Sequence, residues 1–312
     1  QETIEAFAQT ACERQMYLQT TLFPNEKPAF PPKTKVHTLD DAEASATKLR
    51  RHWALGAAAI ESLAQTIENY GGIIVEYPTD GRTFDGLSGW VNGNFPLIIV
   101  NPRVPDDRIR FNLAHELGHL VMDCDSASEN EEDLAYRFAE ALLVPATVAR
   151  KELGEKRRAL MFEELGVLKR KYGFSMQGWL YRAWHLGIIR ESYFKTMRAE
   201  FNKKSWKRVE PIPYEGDEKP TRLRQMTLRA LSEGIITGEK AEELCPGCTK
   251  HIEDLAETER LTFLSPSELL KLPRSQRRAL LTQFAKFAER EYRENRDLTD
   301  FEAFGEDDLQ DE

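Results

Sequence analysis

The chain has 312 residues, 41% of them apolar and 30% charged, with a formal net charge of −9. That length builds one large core or two modest ones, and the composition is that of an ordinary globular protein. No run nears the roughly 18–20 apolar residues of a membrane span, the acidic balance opposes general nucleic-acid affinity, and four scattered cysteines (Cys12, Cys124, Cys245, Cys248) make no disulfide framework.

Residues 1–20 predict a helix, with Ile4, Phe7, Ala8, Ala11 and Leu18 at helical spacing and Gln15 interrupting the stripe. Cys12 is expected in the core. Residues 23–34 hold four prolines and form a connector. A second helix starts at residues 40–43, where acids suit the first turn, and runs to about Trp53. Gly56 interrupts it, and a further helix is expected over 58–69. His37 has no partner in sequence, and His52 beside Trp53 is expected packed or half-exposed. Residues 73–77 are rich in β-formers. Residues 87–91 and 95–100 flank Asn92-Gly93, a strong hairpin signal. Together they predict a small antiparallel sheet of about three strands. Arg110 precedes the next helix; it either stabilises an oxyanion or, as is commoner for Arg there, is structural, and it is left unassigned.

Residues 111–120 carry His115-Glu116-Leu117-Gly118-His119 on a segment that reads as a helix. Two histidines four apart lie on the same helical face. Their imidazoles can share one Zn²⁺, and Glu116 between them can take a proton from a water activated by the metal. Leu113, Leu117 and Leu120 lie opposite and anchor the helix. Gly118, a poor helix former, suggests that another backbone passes close by. A catalytic zinc needs a third protein ligand and an open position. Asp123, Cys124, Asp125, Glu129, Glu131, Glu132 and Asp133 all follow. Asp125 has metzincin spacing, but Met122 stands where that pattern needs glycine. Glu132 is favoured because Ala135 and Ala139 lie on its face of a helix over 132–143, and small residues let that helix approach closely.

Further on, residues 159–172 and 175–186 predict two helices around Gly173, with Ser175 as N-cap. The pair resembles a helix-turn-helix, expected either to contact DNA or a repressor, or to complete the peptidase core. His185 lies on the second helix; it either approaches the metal or is a buried hydrogen-bonded histidine. Residues 202–208 form a basic turn with one aromatic. Residues 210–220 look like a linker. Residues 221–244 predict two helices split near Gly234 and Gly238. Cys245-Pro246-Gly247-Cys248 with His251 is either a metal knuckle, a redox pair or, the favoured alternative, a turn with reduced thiols. Residues 265–268 open a helix with Ser-Pro-Ser-Glu. An amphipathic helix follows over 274–295, then an acidic tail whose composition is that of disordered segments. That helix is expected to bind a partner or a basic surface of the same chain.

The motifs together resemble the ImmA/IrrE family of metallopeptidases. The resemblance is carried by Arg110-Phe111, by 114–120, by Glu132, Ala135, Phe138 and Ala139 with 142–145, by Leu168, Lys169 and 172–175, by Arg182 and Ala183 with 186–189, and by 96–101. It spans roughly 43–212. It implies a mostly helical, zincin-like α+β fold with His115, His119 and Glu132 as zinc ligands and Glu116 as general base. It also implies a protein substrate, a repressor of the XRE helix-turn-helix type or an antitoxin. Many members carry such a DNA-binding domain at their own N-terminus; none is visible here, and a start at Gln1 rather than Met is compatible with the loss of an upstream piece. The expected organisation is 1–36 as N-terminal helix and connector and 37–212 as peptidase domain, with the helix-turn-helix-like module at 159–190. A helical region with the cysteines follows at 221–262, and 263–312 are C-terminal helix and tail. The expected location is the cytoplasm, with no membrane partner and with DNA contact not favoured. The rival is a non-proteolytic regulatory or toxin–antitoxin binding protein with a structural or vestigial metal site.

Overall fold

A computed structural model describes residues 2–79, 84–125, 130–206 and 209–249, and Arg277. Contacts divide the chain into a unit over 1–236 and a second over 237–312. The first unit is mostly helical with a small sheet, as an α+β fold requires.

Its sheet has three strands, β2 (Ile73–Glu76), β3 (Gly86–Val91) and β4 (Phe95–Val100), in the order β2-β4-β3. The expected hairpin forms: β3 and β4 are antiparallel, with Leu87 opposite Ile99 and Val91 opposite Phe95. Three residues join the paired ends Val91 and Phe95; Asn92 and Gly93 take positive φ, 51° and 68°, and Asn94 N closes the turn on the Val91 carbonyl at 3.2 Å. The sheet is nevertheless mixed rather than antiparallel, because β2 runs parallel to β4. Burial explains the unbroken apolar run of β4. Ile73, Val75, Leu97 and Ile99 pack with Ala8 and Cys12 of α1 (Glu2–Leu22), while Ile74, Ile98 and Val100 join the main core. A sheet covered on both faces suits continuous hydrophobic strands. A two-residue parallel pair, β1 (Thr34–Lys35) with β5 (Met122–Asp123), lies apart from it.

The main core is built from helices. α2 (Leu39–His52) starts at a Thr38 capping box with Asp41. α3 (Leu63–Asn69) starts at Ser62, not near Ala58. The reason lies in the preceding carbonyls: those of Gly56 and Ala58 accept from Arg50, and that of Ile60 accepts from Arg110, so they are committed outside any helical ladder. α4 (Asp106–Val121) and α5 (Glu131–Leu143) pack closely. Ala135 and Ala139 are fully buried there. What crowds Gly118 is a ring rather than a backbone: a Cβ at 118 would lie 3.0 Å from Phe138 Cδ1.

α6 (Ala146–Leu153), α7 (Phe162–Tyr172), α8 (Met176–His185) and α9 (Glu191–Lys203) complete the helical core. Ser175 caps α8, accepting from Gly178 N at 2.9 Å, and Gly173 ends α7 in the left-handed region. Met176, Trp179, Leu180 and Ala183 of α8 are buried in the core. The stretch after residue 209 has no regular structure but is pinned. Glu210 accepts from Lys169 and from Met176 N and Gln177 N at the start of α8, each at 2.9 Å. Glu218 accepts from Leu63 N and Ala64 N at the start of α3 and pairs with Arg110. α10 (Arg222–Ser232) follows, its first amides held by Glu68.

In the second unit the described elements are α11 (Gly238–Leu244), capped by Thr237, and the turn at Cys245-Pro246-Gly247-Cys248. Gly247 has φ 79°, and its amide donates to Glu242 at 2.7 Å. Both cysteines are free thiols. His251, the helix start at 265–268, the amphipathic stretch 274–295 apart from Arg277, and the acidic tail lie outside the described residues.

Candidate metal centre

The site grows from two helix termini. α4 carries the histidines in its last two turns, with Leu113, Leu117 and Leu120 buried on its far side. α5 begins at Glu131, and Asn130 caps it by accepting from Glu132 N at 3.2 Å. Glu132 therefore projects from the first turn of α5 toward the end of α4. The two imidazoles meet with Nε2 atoms 3.2 Å apart. Glu132 Oε2 lies 3.2 Å from His115 Nε2, and Oε1 lies 3.7 Å from His119 Nε2. One ligand atom from each of the three falls within 4.8 Å of the others, the only such group of three or more among the described residues.

The other sequence candidates go elsewhere. Glu131 sits 3.0 Å from His119 Nδ1, the ring nitrogen turned away from the cluster. A carboxylate there orients the ring and fixes its tautomer. Asp125 faces His37 at 3.5 Å, which gives that histidine a partner the sequence did not show. Asp123, Cys124 and Asp133 are not in the cluster, and Glu129 lies outside the described residues. Arg110, which lies inside α4 rather than ahead of it, is structural: it is 1% exposed and bonded to Glu218 and the Ile60 carbonyl.

Glu116 is buried beside the cluster, and its Oε2 accepts from Ser88 Oγ of β3 at 2.7 Å. Burial pushes its carboxyl above the usual range, opposed by the Ser88 hydrogen bond. Burial and the neighbouring His119 push His115 down, favouring the neutral ring a metal needs. The His115 Nδ1 is buried without a hydrogen-bond partner.

The cluster opens into a groove of about 1130 Å³. Its walls come from α4, α5, α8 and the pinned segment, and include Tyr136, Phe174, Tyr181, His185 and Tyr214. Tyr136 stacks at a tilt 4.6 Å from His115, one turn after Glu132. His185 is outside the cluster and only half-buried, but it is hydrogen-bonded as the favoured expectation required. Its Nδ1 is 2.8 Å from Glu140 Oε2, and it lines the groove that holds the cluster.

The sequence found the three clustered residues and Glu116 because each follows from helical spacing. It did not find Ser88 or the orienting position of Glu131. Asn130 ahead of three acids was a legible cap signal; nothing local marked Ser88.

Two imidazole nitrogens and one carboxylate oxygen form a donor set that fits a divalent metal ion. Residues 74–183 match the family model for the IrrE N-terminal-like domain, a peptidase family. The stretch contains every residue of the cluster, and the match points to a metallopeptidase-type function. No curated protein matches the chain.

Proposed function

From a chain whose residues 74–183 match the IrrE N-terminal-like domain model, we propose a zinc-dependent metalloendopeptidase of the ImmA/IrrE type. Its substrate is a protein, an XRE-type repressor or an antitoxin, cut at one exposed site in the cytoplasm. The observation that carries this is the convergence of His115, His119 and Glu132 within 4.8 Å, beside buried Glu116.

His115, His119 and Glu132 would hold the ion, and zinc suits two imidazoles with one carboxylate. Bound zinc supplies Lewis acidity and lowers the pKa of water to about 7. Glu116 takes a proton from the attacking water and returns it to the leaving nitrogen. Its burial supports this, since raising the carboxyl above its usual range makes the carboxylate a stronger base toward water. The groove offers an extended chain a path past Tyr136 toward Tyr181 and His185.

DNA contact through α8 is not favoured. Its apolar face is buried, and Gln177, Tyr181 and His185 on the other side line the groove. Among the described residues no helix is long and apolar enough to cross a membrane.

Metal analysis of the purified chain and co-expression with a neighbouring repressor gene test the proposal together. One equivalent of zinc and a chelator-sensitive cleavage product are expected. Glu116→Gln should keep the zinc and lose the cleavage. A stable, uncut complex with zinc bound would favour the binding protein instead.

A further inference from the structure

β3 and α4 are joined along their length by a polar seam. Arg108 Nη2 pairs with both oxygens of Asp85, at 2.8 and 2.9 Å. Asn112 Nδ2 donates to the Asp85 carbonyl at 3.2 Å. Ser88 Oγ donates to Glu116 Oε2 at 2.7 Å, and Trp90 Nε1 donates to the Leu120 carbonyl at 3.2 Å. Positions 108, 112, 116 and 120 are each four apart, so they form one stripe on the helix. Their partners climb in the same direction from Asp85 to Trp90.

The two repeats match in length. Twelve residues of α-helix rise about 18 Å. Five residues of strand span about 17 Å. Asp85, just ahead of β3, takes the first two rungs, Ser88 and Trp90 the next two, and Glu116 is one rung of that ladder. Gly86 belongs to it as well. A Cβ there would lie 2.8 Å from Glu116 Oε1 and 2.9 Å from its Cγ, so only glycine leaves the carboxylate its place.

We propose that Ser88 is a positioning residue for Glu116, the hydroxyl fixing one carboxylate oxygen while Gly86 leaves room for the other. This rests on Glu116 being the general base of a peptidase. The carboxylate has no other hydrogen-bond donor among the described contacts. Freed from Ser88, it can turn away, and a misplacement of about 1 Å costs up to about 100-fold in rate.

The test uses the full chain as wild type, Ser88→Ala and Ser88→Thr. Each zinc-loaded protein is assayed on the purified product of the neighbouring repressor gene, the cut fragment being quantified over a range of its concentrations. Each metal-free protein is labelled with glutamate carrying carbon-13 at the side-chain carboxyl, and the Glu116 signal is identified by its loss in Glu116→Gln. Ser88→Ala should lower kcat about 10- to 100-fold with KM unchanged, and should shift the Glu116 signal. Ser88→Thr, which keeps the hydroxyl, should restore both. An unmoved signal in Ser88→Ala overturns the proposal, as does a moved signal with wild-type kcat. No cleavage by zinc-loaded wild type defeats the peptidase reading instead and removes the ground of this proposal with it. The signal then still reports whether Ser88 touches Glu116.

Discussion

Glu131 and Glu132 are neighbours with the same side chain and the same 61% exposure, yet they meet different atoms. Glu132 reaches both Nε2 atoms of the cluster, while Glu131 reaches the back of the His119 ring. Their substitutions should differ accordingly. Glu132→Ala removes a proposed ligand and should abolish stable metal binding. Glu131→Ala leaves the ligands intact and should weaken zinc about 10- to 100-fold. Competition against a chromophoric chelator measures both, and equal losses would contradict the assigned positions. Gly118 makes a packing prediction at the same scale. Gly118→Leu forces its side chain against the Phe138 ring and should cost about 1–3 kcal/mol, read from urea denaturation.

At the scale of elements, the segment after 209 was expected to be a linker and instead ties helices together through buried carboxylates. Glu218 is 2% exposed and faces Arg110 across 108 residues of sequence. Arg110→Leu leaves that charge buried without its partner and should cost about 3–5 kcal/mol. Adding Glu218→Gln should restore part of the loss. A neutral amide still accepts from Leu63 or Ala64 without an uncompensated charge. A double variant as unstable as the single one would show that the charge was not the cause. At the other end of the segment, Glu68 of α3 holds the first amides of α10, and burial raises its pKa from 4.5 to about 7. The folded protein thus keeps this proton to higher pH than the unfolded chain does. The resulting stability is present below the unfolded pKa of 4.5 and is lost as pH rises through about 7. The loss is roughly 3 kcal/mol. Glu68→Gln should remove that slope from a series of denaturation curves across this range. A slope as steep as that of wild type would assign it to other groups.

The first unit as a whole is a sheet between two layers, with α1 on one face and the helical core on the other, and the cluster lies where α4 meets α5. Both helices contribute residues to the candidate cluster, so a metal bound there would stabilise the folded state by mass action. At zinc 100-fold above its Kd the gain is about 2.7 kcal/mol. Thermal unfolding with and without chelator should show it in wild type and in Glu116→Gln, but not in His115→Ala. A shift in His115→Ala equal to that of wild type would place the metal elsewhere. By itself the sequence determined what short-range periodicity encodes. Four-residue spacing put His115 and His119 on one face, with Glu116 next to the first. Ala135 and Ala139 marked the face behind Glu132, and Asn92-Gly93 closed a hairpin. Only the tertiary structure decided the parallel pairing of β2 with β4, the ring of Phe138 against Gly118, and the hold of Ser88 on Glu116 across 28 residues. It also decided the reach of Glu218 to the start of α3 across 155 residues. Helical spacing follows from backbone geometry alone, whereas contacts between distant segments exist only once the packed core has brought them together.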